Sequence, residues 1–239
     1  MWITPETIEK HRKVTEEKIA PLVNKYEKFF EKYNIKAPSN DLHKRWFWKQ
    51  VVAYDMYHDL LFKKKNLKIL EIGGGLSFLT KRLADRHDYK VIDICNNKSK
   101  SIDQSFFGYN LKIEKSNIVK FNDWFYNPEH ILEHYDIVIA NDLFPNVDQR
   151  LYQFMSKYKP YTKQIRLSLT YHSMNSFWQV KTNYGEHLTI RPWNVSMISE
   201  FLQSHWEFID GKENVWSKYE DMKEIFKSDT NVMTVRMNF

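Results

Sequence analysis

Leu67-Lys68-Ile69-Leu70-Glu71-Ile72-Gly73-Gly74-Gly75 is the stretch on which the reading of this chain turns. Apolar side chains at 67, 69, 70 and 72 give a short buried-strand signal, and three consecutive glycines end it. The chain has 239 residues and only 6 glycines, so half of them stand in this one turn. Glycine collects where the backbone needs a conformation or a close approach that a Cβ would block. A helical pattern through Phe78, Leu79, Leu83 and Ala84 follows. Strand, glycine turn and helix N-terminus together form a place where a polar or anionic cofactor can meet backbone N–H groups.

The same alternation continues along the chain. Strand patterns occur at Tyr89–Ile94, weakly at Leu111–Glu114, strongly at Tyr135–Ala140 and again at Gln164–Leu169, with helix patterns such as Val147–Tyr158 between them. Strands alternating with helices predict a parallel sheet covered on both faces and wound right-handed. Trp206–Ile209 and Asn231–Met237 read as two closing strands, preceded by a helix over Val195–Ser204 capped near Asn194. The expected fold is α/β: a Rossmann-like, doubly wound, mostly parallel seven-stranded sheet with an antiparallel C-terminal hairpin.

Residues 4–63 carry no strand signal. Thr4-Pro5 starts a helix, Pro21 divides it, and Ala37-Pro38-Ser39-Asn40 closes it before another helix bearing Trp46, Val51, Tyr54, Leu60 and Leu61. The domain expectation is a helical appendage or lid over 1–64 and a Rossmann-like domain over 65–239. Residues 171–192 have little periodicity and read as a loop insertion, a length that tends to be functional.

Composition narrows the classes. Apolar residues at 42% and charged residues at 28% are ordinary for a globular domain. No run approaches the roughly 18 uninterrupted apolar residues of a spanning helix, and the N-terminal residues lack the apolar core of a secretory signal. Cys95 is the only cysteine, which excludes an intrachain disulfide and argues against a cysteine-based zinc site. The expected setting is a bacterial cytoplasm. Lys and Arg number 36 against 30 Asp and Glu, a positive balance spread along the chain rather than clustered. Aromatic content of 16% suits a core or an aromatic-lined cleft.

A dinucleotide site would want G-x-G-x-x-G, but Phe78 occupies the third glycine position. Leu70-Glu71-Ile72-Gly73-Gly74-Gly75 followed by Asp93 at the end of the next strand instead resembles the signature of class I S-adenosylmethionine-dependent methyltransferases. The resemblance spans roughly residues 65–239 and implies the cofactor S-adenosyl-L-methionine and the product S-adenosyl-L-homocysteine. It implies that Glu71 orients the glycine turn near the amino-acid end of the cofactor, that Gly73, Gly74 and Gly75 admit its close approach, and that Asp93 binds the ribose hydroxyls. The family's third small residue corresponds to Ser77. Asn117 matches the residue that follows the third strand beside the adenine amino group. Asn141-Asp142-Leu143-Phe144 is similar to the fourth motif beside the methyl group, which adds Asn141 to the cofactor contacts.

Methyl transfer from a sulfonium is an in-line displacement, so alignment dominates and a high-pKa oxygen nucleophile also gains from a general base. The candidate bases are His172, Asp142 and His187. Tyr171, Arg166 and Arg191 are candidate acceptor contacts, with Lys181 a further cation. No paired acid or histidine spacing points to a metal. The leading function is methylation of a small, anionic metabolite, such as a phosphorylated compound or an activated sugar of surface polysaccharide. Two other classes stay open: a nucleic-acid base methyltransferase, whose Asp/Asn-Pro-Pro-Tyr/Phe motif Asn141–Phe144 matches only at its ends, and a non-catalytic binding module. Oligomeric state does not follow from the residues.

Overall fold

In the computed structural model of the chain the described residues are 52, 55–73, 82–93, 119–121, 123–126, 133–145, 147–172, 178–181, 187–190, 193–211 and 230–239. Gly74, Gly75, Ser77, Phe78, Cys95, Asn117 and Arg191 lie outside them, as does most of the expected N-terminal appendage.

Six strands form one sheet in the order β3-β2-β1-β4-β5-β8. They are β1 (Lys68–Ile72), β2 (Asp88–Asp93), β3 (Val119–Phe121), β4 (Ile137–Phe144), β5 (Gln164–His172) and β8 (Thr230–Asn238). All neighbours are parallel except β5 and β8, which pair antiparallel from Gln164↔Asn238 to His172↔Thr230. The hydrophobic pattern explains why both faces are covered. Leu70 and Ile72 of β1, Ile92 of β2, Val138 and Ala140 of β4, and Ile165, Leu167 and Leu169 of β5 pack in one core with α2 (Leu151–Tyr158) and α3 (Val195–Ser204). Ile69, Val91, Ile137 and Ile139 point the other way, into a second core with Met56, Tyr57, Leu60 and Leu61 of α1 (residues 55–62) and with Leu83. Near-continuous apolar strands are what a sheet buried on both faces requires.

Several expected boundaries move. The sheet position expected for Leu111–Glu114 is filled by Val119–Phe121, which pairs with Val91–Asp93. The expected fourth strand runs on past Ala140 to Phe144, with a register shift against β5 between Ala140 and Phe144. Tyr171 and His172 end β5 rather than follow it. The stretch expected as an irregular loop over 171–192 contains a two-stranded hairpin, β6 (Trp178–Lys181) against β7 (His187–Ile190). Trp206–Phe208 is a 3-10 turn and not a strand; only Ile209 forms an antiparallel bridge, to Met237, so the described sheet has six strands rather than seven. The helix after Asn194 is as expected, and the Asn194 side chain accepts a 2.9 Å bond from the Met197 N–H at its N-cap.

α1 is fastened near its C-terminal end. The Leu60 carbonyl accepts from Arg86 Nε at 3.2 Å and lies 2.8 Å from His87 Nε2, tying the helix to the turn before β2. The preceding residue, Asp59, receives Arg166 of β5 through two 2.7 Å bonds.

Candidate functional site

Strand alternation gives the second sheet face an unusual composition at its carboxyl end. Ile69 is followed on that face by Glu71, Val91 by Asp93, and Ile139 by Asn141. On β5 the whole face is polar: Arg166, Ser168, Thr170 and His172 alternate with Ile165, Leu167, Leu169 and Tyr171 of the opposite core, and all eight are buried. The order 3-2-1-4-5 reverses between β1 and β4, and a crevice outside the carboxyl ends at such a switch point is where open α/β sheets bind ligands.

Gly73 opens that crevice. Its φ is +71°, a conformation that L side chains rarely adopt, and its N–H donates to the Ile92 carbonyl at 2.8 Å. A Cβ here would also sit 3.0 Å from Leu143 Cδ1. The turn demands the glycine first; the neighbouring side chain could move aside, the backbone angle could not.

Glu71 is 5% exposed and accepts a 2.6 Å hydrogen bond from the Tyr57 hydroxyl on α1. Burial raises its carboxyl to about 7, the bond from Tyr57 opposes the rise, and the negative charge of Asp93 adds to it. The Tyr57 phenol is itself held well above its ordinary range, by burial first and then by Glu71, so it stays a donor. Asp93, 9% exposed, ends β2 beside Gly73.

The β4 irregularity shapes the other wall. Asp142 has φ +56°, and its N–H donates to Ser168 Oγ at 2.6 Å. Ser168 in turn donates to Asn141 Oδ1 at 2.8 Å. One hydroxyl on β5 thus fixes two consecutive residues of a bulged strand, a common device beside functional sites. Neither Tyr57 nor Ser168 was singled out by the sequence. Tyr57 carried a usable signal, since Tyr57, Leu60 and Leu61 share one helical face; Ser168 carried none.

The other expected residues fare differently. Arg166 is fully buried, with its guanidinium engaged by Asp59, the Met56 carbonyl and Gln164, and is a structural ion pair rather than an acceptor contact. Tyr171 packs in the core on the face opposite His172. His172 is 8% exposed, and its N–H donates to the Trp193 carbonyl at 2.7 Å. His187 is placed only by its backbone, opposite Lys181 in the hairpin. Because β3 begins at Val119, Asn117 precedes the third strand; the residues that follow it are Asn122 and Asp123. Asp123 accepts from the Phe125 N–H at 2.8 Å and pairs with Arg150 at 3.0 Å. Phe144 is fully buried against Trp124 and Phe154, so it is not presented for stacking on a flipped base. Among the described residues no three His, Cys, Asp or Glu side chains converge as metal ligands.

The residues present suit S-adenosylmethionine better than a dinucleotide. Carboxylates stand at the next-to-last residue of β1 and the last of β2, and the described arginines of this face, Arg166 and Arg236, are occupied by Asp59 and Asp55. A cofactor with an ammonium, a sulfonium and a ribose diol complements that donor set, whereas a pyrophosphate opposes it. Glu71, Gly73, Asp93 and Asn141 are the described residues placed to hold it.

No family model matches the chain, and no curated protein does. Solved structures do match it. The DhpI complex with S-adenosylhomocysteine aligns over 97% of this chain and 95% of its own, at 12% identity and a TM-score of 0.47. The 1,6-didemethyltoxoflavin-N1-methyltransferase of Burkholderia thailandensis, bound to 1,6-didemethyltoxoflavin and S-adenosylhomocysteine, aligns over 100% and 92%, at 10% identity and 0.46. An S-adenosylmethionine-dependent methyltransferase of Mesorhizobium loti aligns over 77% and 97%, at 11% identity and 0.42. Identities and scores at this level carry no functional argument by themselves.

Proposed function

We propose that this chain transfers a methyl group from S-adenosylmethionine to a small-molecule acceptor. The observation that carries the reading is the meeting of three features at the switch point: Gly73 at φ +71°, Glu71 next to last in β1 and Asp93 ending β2. In the roles that the sequence resemblance implies, Asp93 binds the ribose hydroxyls, Glu71 receives the amino-acid end, and Gly73 leaves the backbone bare beside it. Asp123, in the place of the residue that follows the third strand, takes the adenine contact instead of Asn117.

The cofactor supplies an electrophilic methyl on a sulfonium. An acceptor lone pair forms the new bond to carbon as the carbon–sulfur bond breaks, and the acceptor's proton leaves to a base. Among the described residues His172 at the end of β5 and Asp142 at the β4 bulge are the leading candidates for that base, His187 is a third, and Ser168 holds the Asp142 backbone in position. Thr170, buried between Ser168 and His172, has a hydroxyl without a hydrogen-bond partner. A buried hydroxyl left unpaired costs about 1–3 kcal/mol, which an acceptor hydroxyl would recover. A hydroxylated metabolite such as an activated sugar is the acceptor class we propose, and Thr170 supports it. With Arg166 occupied by Asp59, Arg191 and Lys181 remain of the three cations expected from the sequence to hold an anionic group on it.

Calorimetry with S-adenosylhomocysteine tests the cofactor half. Wild-type chain is expected to bind, and a folded Asp93→Ala variant to bind at least tenfold more weakly, by loss of charge-assisted bonds of about 1.5–3 kcal/mol. Equal binding by that variant sinks the assignment.

A further inference from the structure

Glu71 is the buried titratable group whose surroundings the transfer chemistry does not explain. It hangs from β1, yet its hydrogen-bond donor comes from outside the Rossmann-like domain expected from the sequence, 14 residues earlier on α1. α1 is not free to give that bond by chance. Asp59, two residues after Tyr57, is clamped by Arg166 at 2.7 Å, with Arg236 at 3.7 Å and Lys64 at 3.4 Å from the same carboxylate. One turn back, Asp55 receives Thr234, and its carbonyl receives Arg236. The Tyr57 ring is buried among the apolar residues of the second core. A rigid phenol is thus delivered to a carboxylate that is itself buried.

We propose that Tyr57 is a positioning residue for the cofactor: through its 2.6 Å bond it orients the buried Glu71 carboxylate and favours its ionised form, against the burial and the Asp93 charge that leave Glu71 a proton to lose when the cofactor binds. The inference rests on the methyltransferase reading and deepens it. Ionised Glu71 attracts an ammonium; protonated Glu71 does not, so binding and ionisation are linked. Among the described residues the groups facing Glu71 are Tyr57 from α1 and the Asp93 carboxylate from β2, while Asn141 from β4 and Arg166 from β5 act on Tyr57. The balance of burial, Tyr57 and Asp93 sets the carboxyl at about 7, where modest changes in either neighbour move its charge.

The test is calorimetric titration of the full chain with S-adenosylhomocysteine across a pH series, in buffers of different ionisation enthalpy. Wild type is expected to bind more tightly as pH rises and to level off above about 7, releasing a proton on binding below that point. Tyr57→Phe is expected to bind about tenfold more weakly near neutrality, converging on wild type at higher pH, because the ionised carboxylate loses a charge-assisted bond. Glu71→Gln is expected to bind weakly with no pH dependence in this range. A merely structural Tyr57 would lower the melting temperature and leave the midpoint of the profile in place. A pH-independent wild type, or a Tyr57→Phe profile with an unmoved midpoint, overturns the coupling while leaving the cofactor reading intact. Failure of the wild type to bind at any pH overturns both. If Tyr57→Phe does not fold, Glu71→Gln decides, since a profile as steep as wild type's rejects the inference.

Discussion

Arg166 and Asp59 stand 107 residues apart in the chain and meet through two parallel 2.7 Å bonds that join β5 to α1. Arg166 has no exposed surface. Removing one partner of a buried pair leaves the other charge uncompensated, at a cost of about 3–5 kcal/mol, out of a total stability of about 5–15 kcal/mol. Asp59→Asn is therefore expected to lower the denaturant midpoint sharply, and Asp59→Leu with Arg166→Met to recover most of the loss. Desolvation acts to raise the Asp59 carboxyl, yet Arg166, Arg236 and Lys64 hold it well below the usual range. A depressed carboxyl stabilises above its unfolded value of 3.8 and loses that contribution as pH falls. Acid titrations followed by circular dichroism should show wild type losing an advantage over Asp59→Asn only under strongly acid conditions.

Glu71 works in the opposite direction. Its carboxyl rises from 4.5 unfolded to about 7 folded, so its contribution to stability is complete below 4.5 and is lost as pH rises through about 7. At about 1.36 kcal/mol per unit the loss is on the order of 3 kcal/mol. Glu71→Gln keeps an acceptor for Tyr57 and removes the charge. The variant is expected to melt higher than wild type at pH 8, with the difference vanishing in mild acid. Equal melting at both values of pH would show that the carboxyl is not destabilised by burial. Greater stability with weaker cofactor binding is the pattern of a site that stores strain for function.

What was legible in the sequence were the parts that depend on neighbours in the chain. Glu71 and Gly73 lie in one strand-turn unit, Asp93 ends the next strand, and Asn194 caps the helix that it precedes. The remainder depends on partners far away. Arg166 reads as an ordinary surface charge until α1 brings Asp59 over it. β3 has three residues and no periodicity of its own, so pairing with Val91–Asp93 decides its place, and the expected strand at Leu111–Glu114 is what made Asn117 the residue after it. The bulge in β4 is invisible because the hydroxyl that stabilises it, Ser168, is 26 residues beyond Asp142. Trp206–Phe208 has strand-forming composition, yet it forms a 3-10 turn with Trp206 40% exposed; tertiary context overrides β propensity.

Ser168 separates shape from chemistry. Ser168→Ala leaves the Asp142 N–H and Asn141 Oδ1 without their partner, a loss of about 1–3 kcal/mol for groups removed from water. Asp142 would then relax from φ +56°. The turnover number is expected to fall by about 10²-fold, the penalty of misplacing a reacting group, with a much smaller loss of affinity for S-adenosylhomocysteine through Asn141. A variant that loses cofactor affinity instead would place Ser168 in cofactor binding rather than in acceptor alignment.

His172 and Asp142 compete for one role, and pH profiles tell them apart. A general base contributes about 10²–10⁴-fold, and its own titration appears in the rate. If His172 takes the proton, His172→Asn removes the rise in turnover through the histidine range, and Asp142→Asn keeps that rise at a lower plateau. The converse result assigns the base to Asp142, and two variants with wild-type turnover would leave transfer to an acceptor that needs no base, such as an amine or an acid anion. Thr170→Val provides the reference: it removes a buried hydroxyl at constant shape. It is expected to raise the acceptor KM while leaving both the pH profile and cofactor affinity in place.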